Sequence, residues 1–272
     1  MSTGSPGDTK GFAERFNATA PGYDHLEFTR RTALRLVELA NLTRGERVLD
    51  IATGTGWVAV EAGKLAGPTG HVTGIDISPA MIELAGAKVA AAGLNNVDLT
   101  LGDAERPNVP EGSFDAILCA SGLFFVPDMA AALRSWLALA KPGGRVIFSS
   151  FGSSFQQPLV RLQIAGLVRY GLPPLQGFDR LFDPATSEAL LRETGWQDLR
   201  VHTEQLGYFH PTIEEYWTET WHSAMGTVLR RLPEDRLAGF REEHLAEVAP
   251  LITDEGLWMD IPVNFAQARR AT

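Results

Sequence analysis

Three aspartates, Asp50, Asp76 and Asp103, are the residues of this sequence best placed for ligand chemistry. Each follows an apolar run typical of a buried strand, and a turn containing Gly54 and Gly56 follows the first of them. The carboxyl ends of parallel strands meet at one crevice, where open α/β sheets bind ligands. A Gly-rich turn that leads into a helix lets backbone N–H groups approach such a ligand closely. The pattern therefore predicts a site for a nucleotide or a nucleoside.

The glycine spacing alone does not separate two classes of cofactor. The run from Gly54 to Ala59 fits the dinucleotide fingerprint, with Asp76 where a ribose-binding acid is expected. Asp50, four residues before Gly54, is the discriminating residue. A buried carboxylate there would repel a pyrophosphate, whereas it would attract the ammonium and sulfonium charges of S-adenosylmethionine (SAM). Charge therefore favours SAM.

The other two acids suit an adenosine group. Asp76 is placed to accept hydrogen bonds from the paired hydroxyls of a ribose, which both classes of cofactor carry. Asp103 is placed to accept from the exocyclic amine of adenine, and Ala104 supplies a backbone N–H beside it. We therefore expect the three acids to line a single nucleoside-binding crevice.

The elements that must position these acids alternate along the chain. Strands are predicted at 48–51, 71–77, 97–101, 114–119 and 145–151, and helices at 58–65, 81–92 and 129–140. This alternation predicts a parallel sheet covered on both faces. Residues 1–10 are expected to form a disordered leader, followed by helices at 11–24 and 28–40.

From residue 152 helices predominate. They are predicted at 156–170, 184–193, 211–232 and 233–251, with strands at 198–203 and 260–266. The last strand contains Pro262 and is predicted at a sheet edge, where Pro is tolerated. One domain is expected. It comprises N-terminal cap helices (1–40), a SAM-binding core (41–151) and a C-terminal part (152–272) that carries a helical lid over about 152–182 and 208–256.

Composition excludes several classes of function. The 272 residues carry a net charge of −9 without a run of Lys or Arg, so the electrostatic footprint of a nucleic-acid-binding surface is missing. The single cysteine, Cys119, excludes an intramolecular disulfide and a thiolate zinc site, and no His/Asp/Glu spacing resembles a metal site. No apolar run approaches the length of a membrane span. We expect a cytoplasmic protein with a small-molecule substrate, no metal, no nucleic-acid partner and no integral membrane segment; a homodimer is left open.

In order and spacing, these motifs resemble the class I SAM-dependent methyltransferases. The segments that carry the resemblance are DIATGTG at 50–56, Asp76, Gly102-Asp103, FDAI at 114–117 and LAKPGGR at 139–145. The segment FNATAPGYD at 16–24 is similar to the N-terminal signature of the ubiquinone/menaquinone biosynthesis C-methyltransferases and their small-molecule relatives. The match covers about residues 12–151. It implies SAM as the cofactor and an α/β, Rossmann-like, seven-stranded, mostly parallel sheet with an antiparallel last strand and a helical cap inserted after strands 5 and 6.

The sequence also departs from the pattern of that family. Ala52 stands where many members have the first Gly of the loop, and the segment 119–128 lacks the His pair common in small-molecule methyltransferases. Phe124 and Phe125 in that segment either contact the acceptor or continue the core. The complete set of residues predicted to bind the cofactor is Asp50, Ala52, Thr53, Gly54, Gly56, Asp76, Ile77, Met81, Asp103, Ala104, Cys119 and Ala120.

A methyltransferase has to align its substrates, exclude water and, for some acceptors, remove a proton. The groups predicted to remove that proton are His222, His25 and Tyr23, and His210 and Tyr208 are further candidates. His222 is preferred because it lies in an aromatic-rich helix. That helix is either an ordinary packing helix or part of a lid over the substrate.

The sequence therefore predicts a SAM-dependent methyltransferase. Its acceptor is expected to be a small, largely apolar or aromatic metabolite, such as a quinone-like or natural-product intermediate, methylated at carbon or oxygen. Two alternatives remain open at this point. One is a SAM-binding cyclase or isomerase without net methyl transfer, and the other is an NAD-dependent oxidoreductase built on the same loop.

Overall fold

The molecule is built around a seven-stranded sheet in the computed structural model, which describes residues 9–174 and 177–272. The strands in chain order are β1 (Arg47–Ile51), β2 (His71–Asp76), β3 (Val97–Leu101), β4 (Phe114–Cys119), β5 (Ala140–Phe151), β6 (Gln197–Gln205), β7 (Tyr208–His210), β8 (Leu257–Met259) and β9 (Pro262–Arg269). Strands β7 and β8 pair with each other in a separate small sheet, which the sequence analysis did not predict. Three-residue strands are too short to show a period of two.

The seven strands of the main sheet lie in the order β3-β2-β1-β4-β5-β9-β6. The first five are parallel, and β9 is antiparallel to both of its neighbours. This confirms the predicted mostly parallel sheet with an antiparallel last strand. Because the strand order reverses between β1 and β4, the crevice in which such sheets bind ligands is expected at their carboxyl ends.

The helices fill the connections between the strands. They are α1 (Thr9–Thr19), α2 (Glu27–Ala40), α3 (Trp57–Ala66), α4 (Pro79–Ala91), α5 (Met129–Leu139), α6 (Leu159–Arg169), α7 (Pro184–Glu193), α8 (Ile213–His222), α9 (Ala224–Leu229) and α10 (Glu234–Val248). The predicted leader lies mostly outside the described residues, and α1 already begins at Thr9. Among the described helices, none combines the length and the apolar character needed to cross a bilayer.

Strand β1 shows that the sheet is covered on both faces. Val48, Leu49, Asp50 and Ile51 are all completely buried, although successive side chains of a strand point to opposite faces. A strand that is buried on both faces has a continuous apolar sequence. Residues 48–51 have such a sequence, with Asp50 as the exception. A carboxylate kept in such a strand needs a specific partner.

The prediction of one helix over 211–232 is wrong, because this segment forms two helices, α8 and α9. Helix α8 ends at His222, and Ser223 has an extended backbone and accepts a hydrogen bond from the Met225 N–H at 3.1 Å. The two helices approach so closely that a Cβ on Gly226 would lie 1.8 Å from the Trp221 carbonyl oxygen. A serine cap and a glycine therefore turn the chain without interrupting the apolar period that predicted a single helix.

The predicted position of the last strand at a sheet edge is also wrong. Strand β9 lies between β5 and β6, and β6 is the edge strand. Pro262 is tolerated because it is the first residue of β9, where a missing N–H removes a hydrogen bond only from the end of the ladder.

Asn264, almost completely buried in β9, is predicted to be an essential link between three segments. Its side-chain amide donates to the carbonyl oxygens of Phe151, Leu181 and Phe182 at 3.0–3.2 Å, and its Oδ1 accepts from Thr203. We expect Asn264→Leu to lower the free energy of unfolding by about 2 kcal/mol or more, because it leaves buried polar groups without partners.

Urea denaturation measures this effect. The matched control is Gln267→Leu on the same strand, where the side chain is only partly buried; its effect is expected to stay within about 0.5 kcal/mol. Equal losses in the two variants would contradict the role assigned to Asn264.

Candidate active site

The loop between β1 and α3 has a backbone that favours glycine at three positions. Ala52, Gly54 and Gly56 all have positive φ angles of 56°, 55° and 89°. A Cβ on Gly56 would also lie 3.0 Å from the Ala85 Cβ, so glycine is required there for close packing of the loop against α4. The left-handed conformation is costly for alanine, which explains why a glycine is common at the position of Ala52.

Asp50, at the end of β1, is hydrogen-bonded to this loop. Its Oδ2 accepts from the Thr53 hydroxyl at 2.5 Å, and the Ala59 N–H in the first turn of α3 lowers the pKa of the carboxyl. Its Oδ1 is buried and without a hydrogen-bond partner among the described residues. Burial raises the pKa of Asp50 to about 7; the Thr53 hydrogen bond opposes this shift, and the charge of Asp76 adds to it.

Asp76 joins two loops at the edge of a cavity. Its Oδ2 accepts from the Gly54 N–H and its Oδ1 from the Ser78 N–H, both at 2.9 Å. Burial raises the pKa of Asp76, and these backbone hydrogen bonds lower it. Asp103 is less buried, and its Oδ1 accepts from the Glu105 N–H at 2.9 Å. Both carboxylates keep acceptor capacity for a ligand.

We call the cavity in front of these two acids the aspartate cavity. It lies at the carboxyl ends of β1, β2 and β4, next to the loop that follows β3. The predicted cofactor-binding residues that line it are Ala52, Gly54, Asp76, Ile77, Met81, Asp103, Ala104 and Ala120. Two acceptor carboxylates beside apolar walls suit the hydroxyls, the amine and the flat ring of a nucleoside, so the residues present fit the predicted cofactor.

The other predicted cofactor-binding residues lie around or behind this cavity. Thr53 lines a small adjoining recess. Asp50, Gly56 and Cys119 are not among the described residues that line the cavity; Asp50 and Cys119 are fully buried, and burial raises the pKa of the Cys119 thiol to about 12. Asp50 therefore lies behind the glycine loop, outside the described lining of the cavity, and its predicted attraction for a charged ligand stays a prediction.

A second cavity, the aromatic cavity, adjoins the first. Its volume is about 130 Å³. Seven phenylalanines line it: Phe16, Phe28, Phe124, Phe125, Phe151, Phe155 and Phe178. Their rings pack on one another, with Phe151 and Phe155 stacked at 3.9 Å and Phe28 edge-on to Phe155 at 5.5 Å. Phe124 and Phe125 thus contact the cavity as well as the core.

Tyr23 connects the two cavities. It lines the aspartate cavity, the recess and the aromatic cavity, and its ring lies next to Gly54. Burial raises the pKa of the Tyr23 phenol, and the charges of Asp76 and Asp24 raise it further. Tyr23 therefore remains protonated at neutral pH and is available as a hydrogen-bond donor.

The structure brings His25 and His222 together, outside the described lining of both cavities. Their rings stack with centroids 4.2 Å apart, and the His222 ring packs on Gly22. Burial lowers the pKa of His222, as do the charges of His25 and Arg230. Neither histidine is among the described residues lining either cavity. Their roles as bases stay predictions that this geometry does not support.

The two further candidates serve a different cluster. Tyr208 donates to both oxygens of the buried Glu219 at 2.6 and 2.8 Å, and His210 Nε2 lies 3.2 Å from the same carboxylate. This cluster fastens the small sheet to α8, outside both cavities.

Two residues that line or support the cavities, Arg15 and Trp136, were not identified from the sequence. Arg15 lies at the wall of the aromatic cavity, directly before the segment 16–24 whose resemblance to a family signature was the available signal. Trp136 is fully buried and its Nε1 donates to the Ala104 carbonyl at 2.7 Å, so α5 positions the Asp103-Ala104 loop. Among residues 9–174 and 177–272, no group of three His, Cys, Asp or Glu side chains is arranged to hold a metal ion.

Comparisons with known proteins point to one family. Residues 48–144 match the family described as a methyltransferase domain. Ubiquinone/menaquinone biosynthesis C-methyltransferase UbiE of Pseudomonas aeruginosa (strain LESB58) is 33% identical over 228 residues, which are 81% of this chain and 86% of that protein. Nocamycin O-methyltransferase of Saccharothrix syringae is 27% identical over 273 residues, 93% of this chain and 96% of that protein. Aklanonic acid methyltransferase DauC of Streptomyces sp. (strain C5) is 38% identical over 143 residues, 52% of this chain and 65% of that protein, slightly less than two thirds of its length.

Solved structures resemble the whole fold at low identity. The YcgJ protein of Bacillus subtilis has a TM-score of 0.58 at 19% identity, with 89% of this chain and 98% of that chain covered. The [4+2]-cyclase SpnF has a TM-score of 0.54 at 19% identity, with 88% and 80% covered. At these identities the likeness shows the fold alone.

The raised pKa of Asp50 predicts a pH-dependent stability of the ligand-free protein. The unfolded chain releases this proton near the ordinary value of 3.8, whereas the folded protein retains it to about 7. The contribution of Asp50 to the free energy of unfolding is therefore greatest at low pH and is lost as the pH rises to about 7. Asp50→Asn keeps an oxygen for the Thr53 hydroxyl and removes the titration, so its stability relative to wild type should increase between about pH 5 and pH 7.

Thermal or urea unfolding at several pH values tests this expectation. Asp254→Asn, at an exposed position, serves as the control and should follow the wild-type pH profile. Parallel profiles for wild type and Asp50→Asn would show that Asp50 is not a neutral buried acid.

Proposed function

Because the chain belongs to the class I SAM-dependent methyltransferases, we propose that it transfers the methyl group of SAM to a carbon or oxygen atom of a small, largely apolar or aromatic metabolite. The observation that carries this proposal is the aromatic cavity, which adjoins the aspartate cavity and shares Tyr23 with it. SAM supplies the methyl group as an electrophilic carbon on a sulfonium. The chain has to align the acceptor with it and exclude water.

The aspartate cavity is the proposed site of SAM. In this proposal Asp76 accepts hydrogen bonds from the ribose hydroxyls and Asp103 from the adenine amine. Ile77 and Met81 pack beside the nucleoside, while Asp50 and Thr53 hold the glycine loop in place. The burial of the Asp50 and Asp76 carboxylates supports a cationic ligand, because a nearby positive charge would stabilise their ionised forms.

The aromatic cavity is the proposed site of the acceptor. Stacked and edge-on phenylalanine rings bind flat apolar molecules well, because aromatic rings gain from both arrangements. The names of relatives that act in quinone, nocamycin and aklanonic acid chemistry support a quinone-like or natural-product intermediate. The negative net charge supports a small molecule over a nucleic acid, and we propose a cytoplasmic location.

Family membership removes the NAD-dependent oxidoreductase from the alternatives. A SAM-binding cyclase or isomerase remains the second candidate function. One observation favours it: among the described residues, neither a histidine nor a carboxylate lines the aromatic cavity to act as a base. The mass of the product separates the two functions, since a cyclase leaves it unchanged and a transferase adds one methyl group.

The proposed function predicts that purified protein binds SAM and consumes it with an acceptor. We expect SAM and S-adenosylhomocysteine to raise the melting temperature, and NADH to leave it unchanged. Mass spectrometry of reactions with quinone-like and polyketide-type aromatic acceptors should find S-adenosylhomocysteine and a product heavier by one methyl group. If SAM binds but every converted product keeps its mass, the cyclase is the correct function.

The role of α5 in positioning the adenine end of the aspartate cavity gives a second prediction. Trp136→Phe keeps most of the packing but removes the donor to the Ala104 carbonyl, so we expect SAM affinity to fall severalfold, with about 1 kcal/mol lost from that hydrogen bond. Trp196→Phe is the matched control, because Trp196 is also buried and donates to a backbone carbonyl, that of Leu133, away from the cavity.

Isothermal titration calorimetry with SAM measures both variants. They are expected to lose similar stability, whereas only Trp136→Phe loses affinity for SAM. Similar affinities in the two variants would show that the Asp103-Ala104 loop does not contact the cofactor.

A further inference from the structure

Arg15 is a cation in the wall of the aromatic cavity and has no ionic partner among residues 9–174 and 177–272. It lies on α1 and is half-buried, and the contact of its guanidinium is with the Phe125 ring, whose centroid is 5.7 Å from Cζ. Among the described residues, no carboxylate or carbonyl oxygen accepts a hydrogen bond from this guanidinium. Burial lowers the pKa of Arg15, and no anion among the described residues opposes that effect.

Two other partly buried arginines of the chain, Arg145 and Arg35, form ion pairs with carboxylates. Arg145 makes hydrogen bonds of 2.9 and 2.7 Å to the two oxygens of Glu46. Arg35 makes the same kind of paired contact with Glu204. Removing a guanidinium from water is costly unless an anion or an acceptor replaces the water. Arg15 therefore has an unused capacity to bind an anion.

Among the described residues that line this cavity, Arg15 is the one with a charged side chain. The other described side chains that line it are phenylalanines, aliphatic groups, hydroxyls and amides. Arg15 thus places a positive charge at the wall of this cavity, although the chain as a whole carries a net charge of −9. A positive group surrounded by apolar walls selects a ligand that combines an anionic oxygen with an apolar ring system.

The groups available for proton removal lead to the same class of ligand. No described His, Asp, Glu or Lys lines the aromatic cavity, and the raised pKa of Tyr23 keeps that phenol protonated. An acceptor that is already ionised at neutral pH needs no base at the site. An acidic acceptor thus accounts for both the unpaired cation and the missing base.

We propose that the acceptor is an acid, an apolar or aromatic molecule that carries a carboxylate or a comparably acidic enol or phenol, and that Arg15 binds its anionic oxygen. This inference rests on the proposed function, since it assigns the acceptor to the aromatic cavity. Arg15 acts here as a binding and specificity-determining residue. Its guanidinium offers paired donors that suit the two oxygens of a carboxylate or of an ionised 1,3-dicarbonyl group.

The test uses 2-naphthoate and its methyl ester, which share a ring system and differ in the anionic oxygen. Calorimetric titrations are made on protein saturated with S-adenosylhomocysteine. Wild type is expected to bind 2-naphthoate at least about tenfold more tightly than the ester, the range of a charge-assisted hydrogen bond. Arg15→Met should bring this ratio close to one, and Arg15→Lys should retain part of it.

Arg134→Met is the matched control, because Arg134 is exposed on α5, and it should keep the wild-type ratio. An equal affinity of wild type for acid and ester, a failure of both to bind, or a ratio that survives in Arg15→Met would overturn the inference. Binding of S-adenosylhomocysteine distinguishes failure of this inference from failure of the proposed function, because a protein that does not bind S-adenosylhomocysteine would contradict the proposed function itself. Arg15 does not line the aspartate cavity, so Arg15→Met should bind that ligand as wild type does.

Discussion

The site depends on the backbone N–H groups that donate hydrogen bonds to one buried carboxylate, that of Asp76. It accepts from the Gly54 N–H in the loop after β1 and from the Ser78 N–H in the loop after β2. A carboxylate in this position would be costly without such donors, so both loops are held in conformations that supply them. In the first loop the donor, Gly54, has a left-handed backbone. Asp50 completes the arrangement by holding Thr53 and the first turn of α3.

The N-terminal helix forms a common wall of both cavities because polar contacts fix it to the core. Ser78, which caps α4, also donates to Asn17 Oδ1 at 2.6 Å, and the Ala80 N–H approaches the same oxygen. This contact sets α1 across the carboxyl ends of the strands, where Phe16 packs edge-on to Phe125 at 5.2 Å. One segment therefore supplies an aromatic wall to the aspartate cavity and both aromatic and cationic groups to the aromatic cavity.

The fold was largely predictable because its signals are local. Strands β1 to β4 and their helices repeat apolar runs, turns and caps within a few residues of one another, and the structure has them within a few residues of the predicted bounds. The predictions that failed concern a pairing between distant segments and a helix break without a break in the apolar period. Strand β9 pairs with β5, which lies more than a hundred residues earlier in the chain. The sequence does not show this pairing, so Pro262 alone suggested an edge strand. Ser223 divides a helix whose apolar period continues across the break.

The sequence by itself determined the strand, turn and acid pattern of the aspartate cavity, because each of its acids ends a recognisable strand and parallel strands place such ends together. Only the tertiary structure decided what the second cavity is. Phe28 meets Phe155 and Arg15 meets Phe125 through packing between segments more than a hundred residues apart, which leaves no periodic signal. The same packing carried His25 and His222 into a stacked pair outside both cavities, although their residue type had made them the obvious bases.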